Sequence, residues 1–247
     1  MENGVNHLDR AAANAEREDI HCGQIKALIF DFDGLLVDTE TCMFKAWEAL
    51  MKPYGVDVSP LQVAGLVGSS VPATALFNLF RTHSGEAISD DEIRQRVLDL
   101  AYQFIEQQSE RDGVRDYLEA AKNARLKLAL ATSSEYEHYM PILKRLKLEH
   151  YFESYTGAEE IAIERRKPQP DVYLTSLNKL GVSAHQAIAF EDSPPGITAA
   201  RSAGIPTVAV TNLLTQHLDV SHAIIALSSM SQISLAQLII QLIEIEQ

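Results

Sequence analysis

Three strongly apolar runs in this chain stop abruptly at side chains that carry chemistry. Residues 26–30 (KALIF) end at Asp31-Phe32-Asp33-Gly34, residues 126–131 (LKLALA) at Thr132-Ser133-Ser134, and residues 187–190 (AIAF) at Glu191-Asp192-Ser193. Such short runs, apolar on both faces, are the pattern of strands buried on both sides in a parallel sheet. A further run, 206–210 (PTVAV), and a weaker one at 223–227 extend the series. Between them lie stretches of helical period at 116–124, 135–146, 171–180, 196–203 and about 231–245. Strand alternating with helix predicts an α/β fold, a Rossmann-like parallel sheet with helices on both faces.

The interval 41–111 breaks the alternation. Its apolar spacing is helical throughout, over 42–51, 60–66, 72–81 and 90–108, and the last stretch opens on Ser89-Asp90-Asp91-Glu92, the signature of a capped N-terminus. This predicts an all-helical cap domain at 41–111, inserted into an α/β core made of 25–40 and 112–247. Trp47, Phe44 and Leu50 share one helical face and are expected in the cap's own core.

Composition narrows the function. The 21 Lys and Arg residues against 34 Asp and Glu give 247 residues a net charge of −13, which disfavours nucleic acid and anionic membranes as partners. Apolar residues at 46% and charged residues at 22% suit a packed globular chain. The polar, acid-bearing stretch 1–24 reads as a flexible extension rather than a targeting segment. No apolar run approaches the roughly 18 residues of a membrane span. Two cysteines, Cys22 and Cys42, make no disulfide framework. A cytoplasmic monomer is the expectation. The eight histidines show no metal-ligand spacing and are expected to be structural or on the surface.

In open α/β sheets, ligands bind beyond the carboxyl ends of the strands, so the residues after each run are the candidates. Side chains alternate along a strand, so Asp31 and Asp33 point to one side, while Gly34 lets the backbone turn and approach a ligand closely. Lys167-Pro168-Gln169-Pro170-Asp171 adds a cation just before a helix. Bringing Asp31, Asp33, Glu191 and Asp192 together is repulsive, by roughly 4 kcal/mol for each pair about 4 Å apart at an effective dielectric near 20. A hard divalent cation removes that repulsion, and an all-oxygen ligand set selects Mg²⁺. Taken singly, each residue has an ordinary reading: turn acids for Asp31 and Asp33, helix caps for Thr132, Glu191, Asp192 and Ser193, and a surface cation for Lys167.

Taken in order, residues 29–40 (IFDFDGLLVDTE), Ala131-Thr132-Ser133-Ser134, the Lys167 motif and residues 190–196 (FEDSPPG) resemble the haloacid dehalogenase superfamily, and within it the β-phosphoglucomutase-like and sugar-phosphate phosphatase group with a helical cap. The resemblance spans about 26–210. It implies Asp31 as a nucleophile that becomes an aspartyl-phosphate and Asp33 as general acid and base. It also implies a Mg²⁺ site made by the Asp31 carboxylate, the Asp33 carbonyl and Asp192, with Glu191 beside them. Thr132, Ser133 and Ser134 are then expected around the phosphoryl oxygens, Lys167 against the nucleophile, and Gly34, Gly68 and Ser69 around the substrate. The implied activity is Mg²⁺-dependent hydrolysis of a small phosphomonoester such as a sugar phosphate. The mutases of this group carry a His where this chain has Met43 and an Arg where it has Val71, so phosphosugar mutase chemistry is the alternative. A receiver-type phospho-accepting domain uses similar residues but lacks the helical insertion.

Overall fold

The computed structural model describes residues 25–67 and 73–245. The expected N-terminal extension and the candidate positions Gly68 and Ser69 lie outside them. Among the described residues, β1 (Ala27–Phe30), β2 (Lys127–Ala131), β3 (Ser154–Thr156), β4 (Ala187–Glu191), β5 (Thr207–Val210) and β6 (Ile225–Leu227) form one parallel sheet in the order β3-β2-β1-β4-β5-β6. The chain runs outward from β1 to β3, then crosses back to lay β4 on the other side of β1. The crevice of such a sheet opens at this reversal, beyond the strand ends.

Alternation along the strands sorts the two faces. Leu28, Phe30, Leu128, Leu130, Ile188 and Phe190 join one core with α5 (Val114–Asn123), α6 (Tyr136–Leu146) and α9 (Leu235–Ile245). Ala27, Ile29, Ala129, Ala131, Ala187 and Ala189 face α7 (Asp171–Leu180) and α8 (Pro194–Ser202). The alanines on that second face leave room for the helices to approach the sheet closely. Phe30 and Phe190, at the adjacent ends of β1 and β4, stack at 4.7 Å with Tyr117 edge-on at 5.8 Å from Phe190. This aromatic group fixes the separation of the two strand ends from which the acids project.

Between β1 and β2 the described chain makes α1 (Thr39–Met51), α2 (Pro60–Ala64), α3 (Thr74–Ser84) and α4 (Asp90–Ile105). Phe44, Trp47, Phe77, Phe80, Ile93 and Val97 bury one another in a third cluster separate from the two sheet faces. The Ser89–Glu92 capping box forms as expected: the Glu92 amide donates to Ser89 Oγ, and the Ser89 amide donates to Glu92 Oε2 at 2.8 Å. No helix among the described residues is long and apolar enough to cross a membrane.

The differences from the sequence reading are local. Edge strand β3 has only Ser-Tyr-Thr, half-buried at its start, so it shows no apolar run; its pairing with β2 defines it instead. The first helix begins at Thr39 rather than Cys42, because Asp38 accepts the Thr41 amide and caps it. The last begins at Leu235, after a short 3-10 turn over Met230–Gln232.

Because Phe190 is fully buried against Phe30 and Tyr117, Phe190→Ala is expected to destabilise the protein by about 3–5 kcal/mol. Denaturant unfolding followed by circular dichroism checks this, and a variant as stable as the parent refutes it.

Candidate active site

The three loops that follow β1, β2 and β4 converge with the Lys167 loop on one cavity of about 610 Å³, whose walls include Asp31, Asp33, Thr132, Ser133, Lys167 and Asp192. Asp31 stays in the ladder, its amide donating to the Phe190 carbonyl at 3.0 Å. Phe32 turns into the core, and Asp33 emerges again on the cavity side, as strand alternation requires. The chain then reverses: the Gly34 amide (φ 73°) donates to the Val37 carbonyl at 2.8 Å and to Thr39 Oγ1 at 3.1 Å. A Cβ at Gly34 would lie 2.2 Å from Asp192 Oδ2. Gly34 therefore makes room for a site carboxylate; it is not among the residues that line the cavity.

Lys167 organises the acids. Its ammonium has three protons and spends one each on Asp31 Oδ1 (2.5 Å), Glu191 Oε1 (2.6 Å) and the Ala131 carbonyl (3.0 Å). Glu191 is saturated besides: Oε1 also accepts from Tyr173 Oη at 2.6 Å, and Oε2 accepts from the Asp192 amide at 3.2 Å and Ser193 Oγ at 3.4 Å. Asp192 Oδ2 accepts from Asn212 Nδ2 at 2.7 Å, and Asn212 is itself oriented by the Leu214 and Thr215 amides, each 3.0 Å from its Oδ1.

Burial, then the neighbouring Glu191 charge, pushes the Asp31 carboxyl well above its ordinary value against the pull of Lys167. The same two causes, burial first, raise Asp192. Carboxylate oxygens of Asp31, Glu191 and Asp192 lie within 4.8 Å of one another. When all three are ionised, Lys167 leaves two negative charges uncompensated in a buried place. An all-oxygen donor set with that residual charge fits Mg²⁺. The Asp33 carboxylate stands outside the cluster, so its expected part in a metal site rests on its backbone carbonyl alone.

Asp33 has partners of its own. Ser134 Oγ donates to Oδ2 at 2.5 Å and His138 Nε2 lies 2.9 Å from Oδ1. Burial works to raise the Asp33 carboxyl, but the His138 and Ser134 hydrogen bonds outweigh it and hold the group below its ordinary value. Burial works to lower His138, and Asp33 more than offsets it. His138, expected with the other histidines to be structural or on the surface, lies on the cavity wall against Asp33. Ser134, in the loop after β2, and His138, in the first turn of α6, converge on Asp33. Asn212, two residues after β5, is open to the strand-end rule. Tyr173 and Arg111 had no such signal; Arg111 bonds the Gly34, Val210 and Thr211 carbonyls and so ties the end of the helical segment to the site. Thr132 Oγ1 accepts the Ser134 amide at 3.0 Å, while Ser133 is exposed on the wall. Glu40 is half-buried on the same wall, and burial together with Asp33, Asp31 and Asp38 raises its carboxyl to about 8.

The sequence pattern of the haloacid dehalogenase-like hydrolases matches residues 28–210. The chain belongs to that family. The hydrolase is 34% identical over 185 residues to the phosphorylated carbohydrates phosphatase of Thermotoga maritima, covering 74% of this chain and 84% of the relative. It is 31% identical over 185 residues to the fructose-1-phosphate phosphatase YqaB of Escherichia coli, covering 74% and 95%. The solved β-phosphoglucomutase of Clostridium difficile superposes with a TM-score of 0.67 over 89% of this hydrolase and 98% of that chain, at 23% identity, a likeness of fold.

Removing the one cation from this cluster isolates the Asp31 and Glu191 carboxylates. Lys167→Met is expected to cost about 3–5 kcal/mol of stability in chelator-treated protein. Since burial and the neighbouring Glu191 charge favour the protonated Asp31 carboxyl, that deficit should shrink as pH is lowered from neutral; urea unfolding at several pH values checks both, and an undiminished deficit contradicts the charge argument.

Proposed function

We propose that this hydrolase is a Mg²⁺-dependent phosphatase acting on a small phosphomonoester of the sugar-phosphate class, through phosphorylation of Asp31. The observation that carries the reading is the pairing of Asp31 with Lys167 inside a buried carboxylate cluster while a second acid, Asp33, faces the same cavity from the next residue pair of one strand end. The names of the two phosphatase relatives support the substrate class.

Asp31 Oδ2, the oxygen not bonded to Lys167, attacks phosphorus, and the alkoxide that departs takes a proton from Asp33. A dianionic ester arriving beside Asp33 raises that carboxyl, as any like charge does, and so favours the protonated form when substrate is present. Asp33, now ionised, takes a proton from water as it attacks the phosphorylated Asp31, which releases phosphate and restores both acids. Lys167 keeps the nucleophile oriented and sets positive charge where negative charge accumulates. Thr132 and Ser133 supply a hydroxyl and an amide for the phosphoryl oxygens. Mg²⁺, held by the Asp31 and Asp192 carboxylates and the Asp33 carbonyl, would neutralise the phosphoryl group and the attacking carboxylate. Glu191, with its oxygens already engaged, orients Lys167. The helices of 41–111 act as a cap that covers the cavity and shapes it for the alcohol half of the ester. Met43 lines that cavity where the related mutases place a histidine, so the wall lacks the group that would hold a bisphosphate for a second transfer, and hydrolysis is favoured.

Asp31→Asn keeps the shape and removes the nucleophile, so phosphate release from a panel of sugar phosphates, phosphoglycolate and nucleoside monophosphates should vanish while the fold persists. A chelator should silence the parent protein and Mg²⁺ revive it. Substantial activity in Asp31→Asn, or indifference to the chelator, would overturn the mechanism; conversion of β-glucose 1-phosphate to its isomer with a bisphosphate activator would replace hydrolysis by mutase chemistry.

A further inference from the structure

Asp33 is gripped from two sides. Each carboxylate oxygen has two lone pairs; Ser134 Oγ takes one on Oδ2 and His138 Nε2 takes one on Oδ1. Thr39 also hydrogen-bonds this carboxylate, so of its four lone pairs one remains for a substrate or water. The other ring nitrogen of His138 meets Tyr102 Oη at 3.1 Å. With Nε2–H donating to the carboxylate, Nδ1 accepts from the tyrosine hydroxyl when the imidazole is neutral and donates to its oxygen when it is protonated, so both ring nitrogens stay engaged in either state. The imidazole is also held by ring contacts, edge-on to Phe32 at 5.8 Å and to Tyr102 at 5.7 Å. Rotating it would break two hydrogen bonds and two aromatic contacts together. His138 belongs to α6 of the core and Tyr102 to α4 of the helical segment, so this chain of contacts runs from that segment to Asp33 across the cavity both residues line.

We infer that His138 is a positioning residue: it fixes the Asp33 carboxyl at the orientation needed for proton transfer to the leaving group and, through Tyr102, makes that orientation depend on the placement of α4. The inference rests on the phosphatase reading, in which Asp33 is the acid and base. A proton donor must lie within about 2.6–3.2 Å of the oxygen it serves, and displacements of about 1 Å cost on the order of 10²-fold in rate. A side chain with two rotatable bonds and no neighbour to set them would not meet that tolerance. His138, Ser134 and Thr39 together supply the restraints, and of these His138 carries the contact to Tyr102 on α4.

Leaving-group chemistry separates this role from a structural one. An alkyl alkoxide needs its proton as it departs; p-nitrophenolate does not. In rapid-quench measurements with Mg²⁺ present, His138→Phe should slow first-turnover alcohol release from an alkyl phosphate by about 10²-fold while first-turnover release of p-nitrophenolate from p-nitrophenyl phosphate stays within about three-fold of the parent protein. His138→Gln, whose side-chain amide can still donate to Asp33, should recover most of the alkyl rate. Tyr102→Phe, at a residue 44% exposed and so tolerant of change, should show the same bias towards the aryl ester at smaller amplitude. Equal loss on both esters, no loss on either, or a glutamine variant no better than phenylalanine overturns the inference and leaves the phosphatase reading intact. A parent protein that cleaves neither ester overturns both. If His138→Phe does not fold, the glutamine and Tyr102 variants carry the comparison alone.

Discussion

The site depends on a single ammonium group. Lys167 has no proton left over: each one is matched to an acceptor on a different stretch of chain, β1 through Asp31, β2 through Ala131 and β4 through Glu191. These three strands are neighbours in the sheet, so the ammonium closes a gap the fold has already made small. Tyr173 on α7 adds its hydroxyl to Glu191 and its ring face to Lys167, 5.3 Å from the centroid. A buried cation on a flexible stem is positioned only when every donor is spoken for, and here it is.

Around that point, four carboxylates of nearly identical chemistry acquire different duties from their surroundings. Glu191 is surrounded by donors and becomes a fixed support. Asp192 has one donor on one oxygen, Asn212, and keeps the other side of its carboxylate open. Asp31 is held by one oxygen and presents the second to the cavity. Asp33 sits apart from the cluster between a hydroxyl and an imidazole. Environment thus sets apart groups whose unperturbed acidities barely differ.

The strands that set the site are legible because a strand buried on both faces is mostly apolar, and β1, β2, β4 and β5 carry a polar residue at one end at most. The acids at their ends could be read for the same reason: a carboxylate directly after such a run has nowhere to go but the strand-end crevice. What escaped was defined by pairing or by distance through space. Edge strand β3 is polar and three residues long. His138 and Asn212 matter because of what faces them across the crevice, at 105 and 20 positions' separation in sequence. Arg111 bonds carbonyls from β1's turn and β5's end, contacts to backbone that leave no trace in side-chain pattern. The requirement at Gly34 was read as a turn and a close approach to a ligand. The turn is there, but what approaches closely is Asp192, a group of the protein itself.

Burial does two opposed things here, and the balance explains why the cluster is built as it is. The apolar strands and the Phe30–Phe190 stack exclude water from the strand ends, which strengthens every charge interaction in the crevice and at the same time makes each unpaired carboxylate costly. A fold optimised for stability alone would replace Asp31, Glu191 and Asp192 with well-packed apolar side chains. Keeping three acids against one ammonium leaves an excess of negative charge that a bound cation would relieve, so part of the stability forgone by the cluster would return as binding. The same low-dielectric setting that penalises the cluster strengthens the action of its fixed charges on any charged group that enters the cavity.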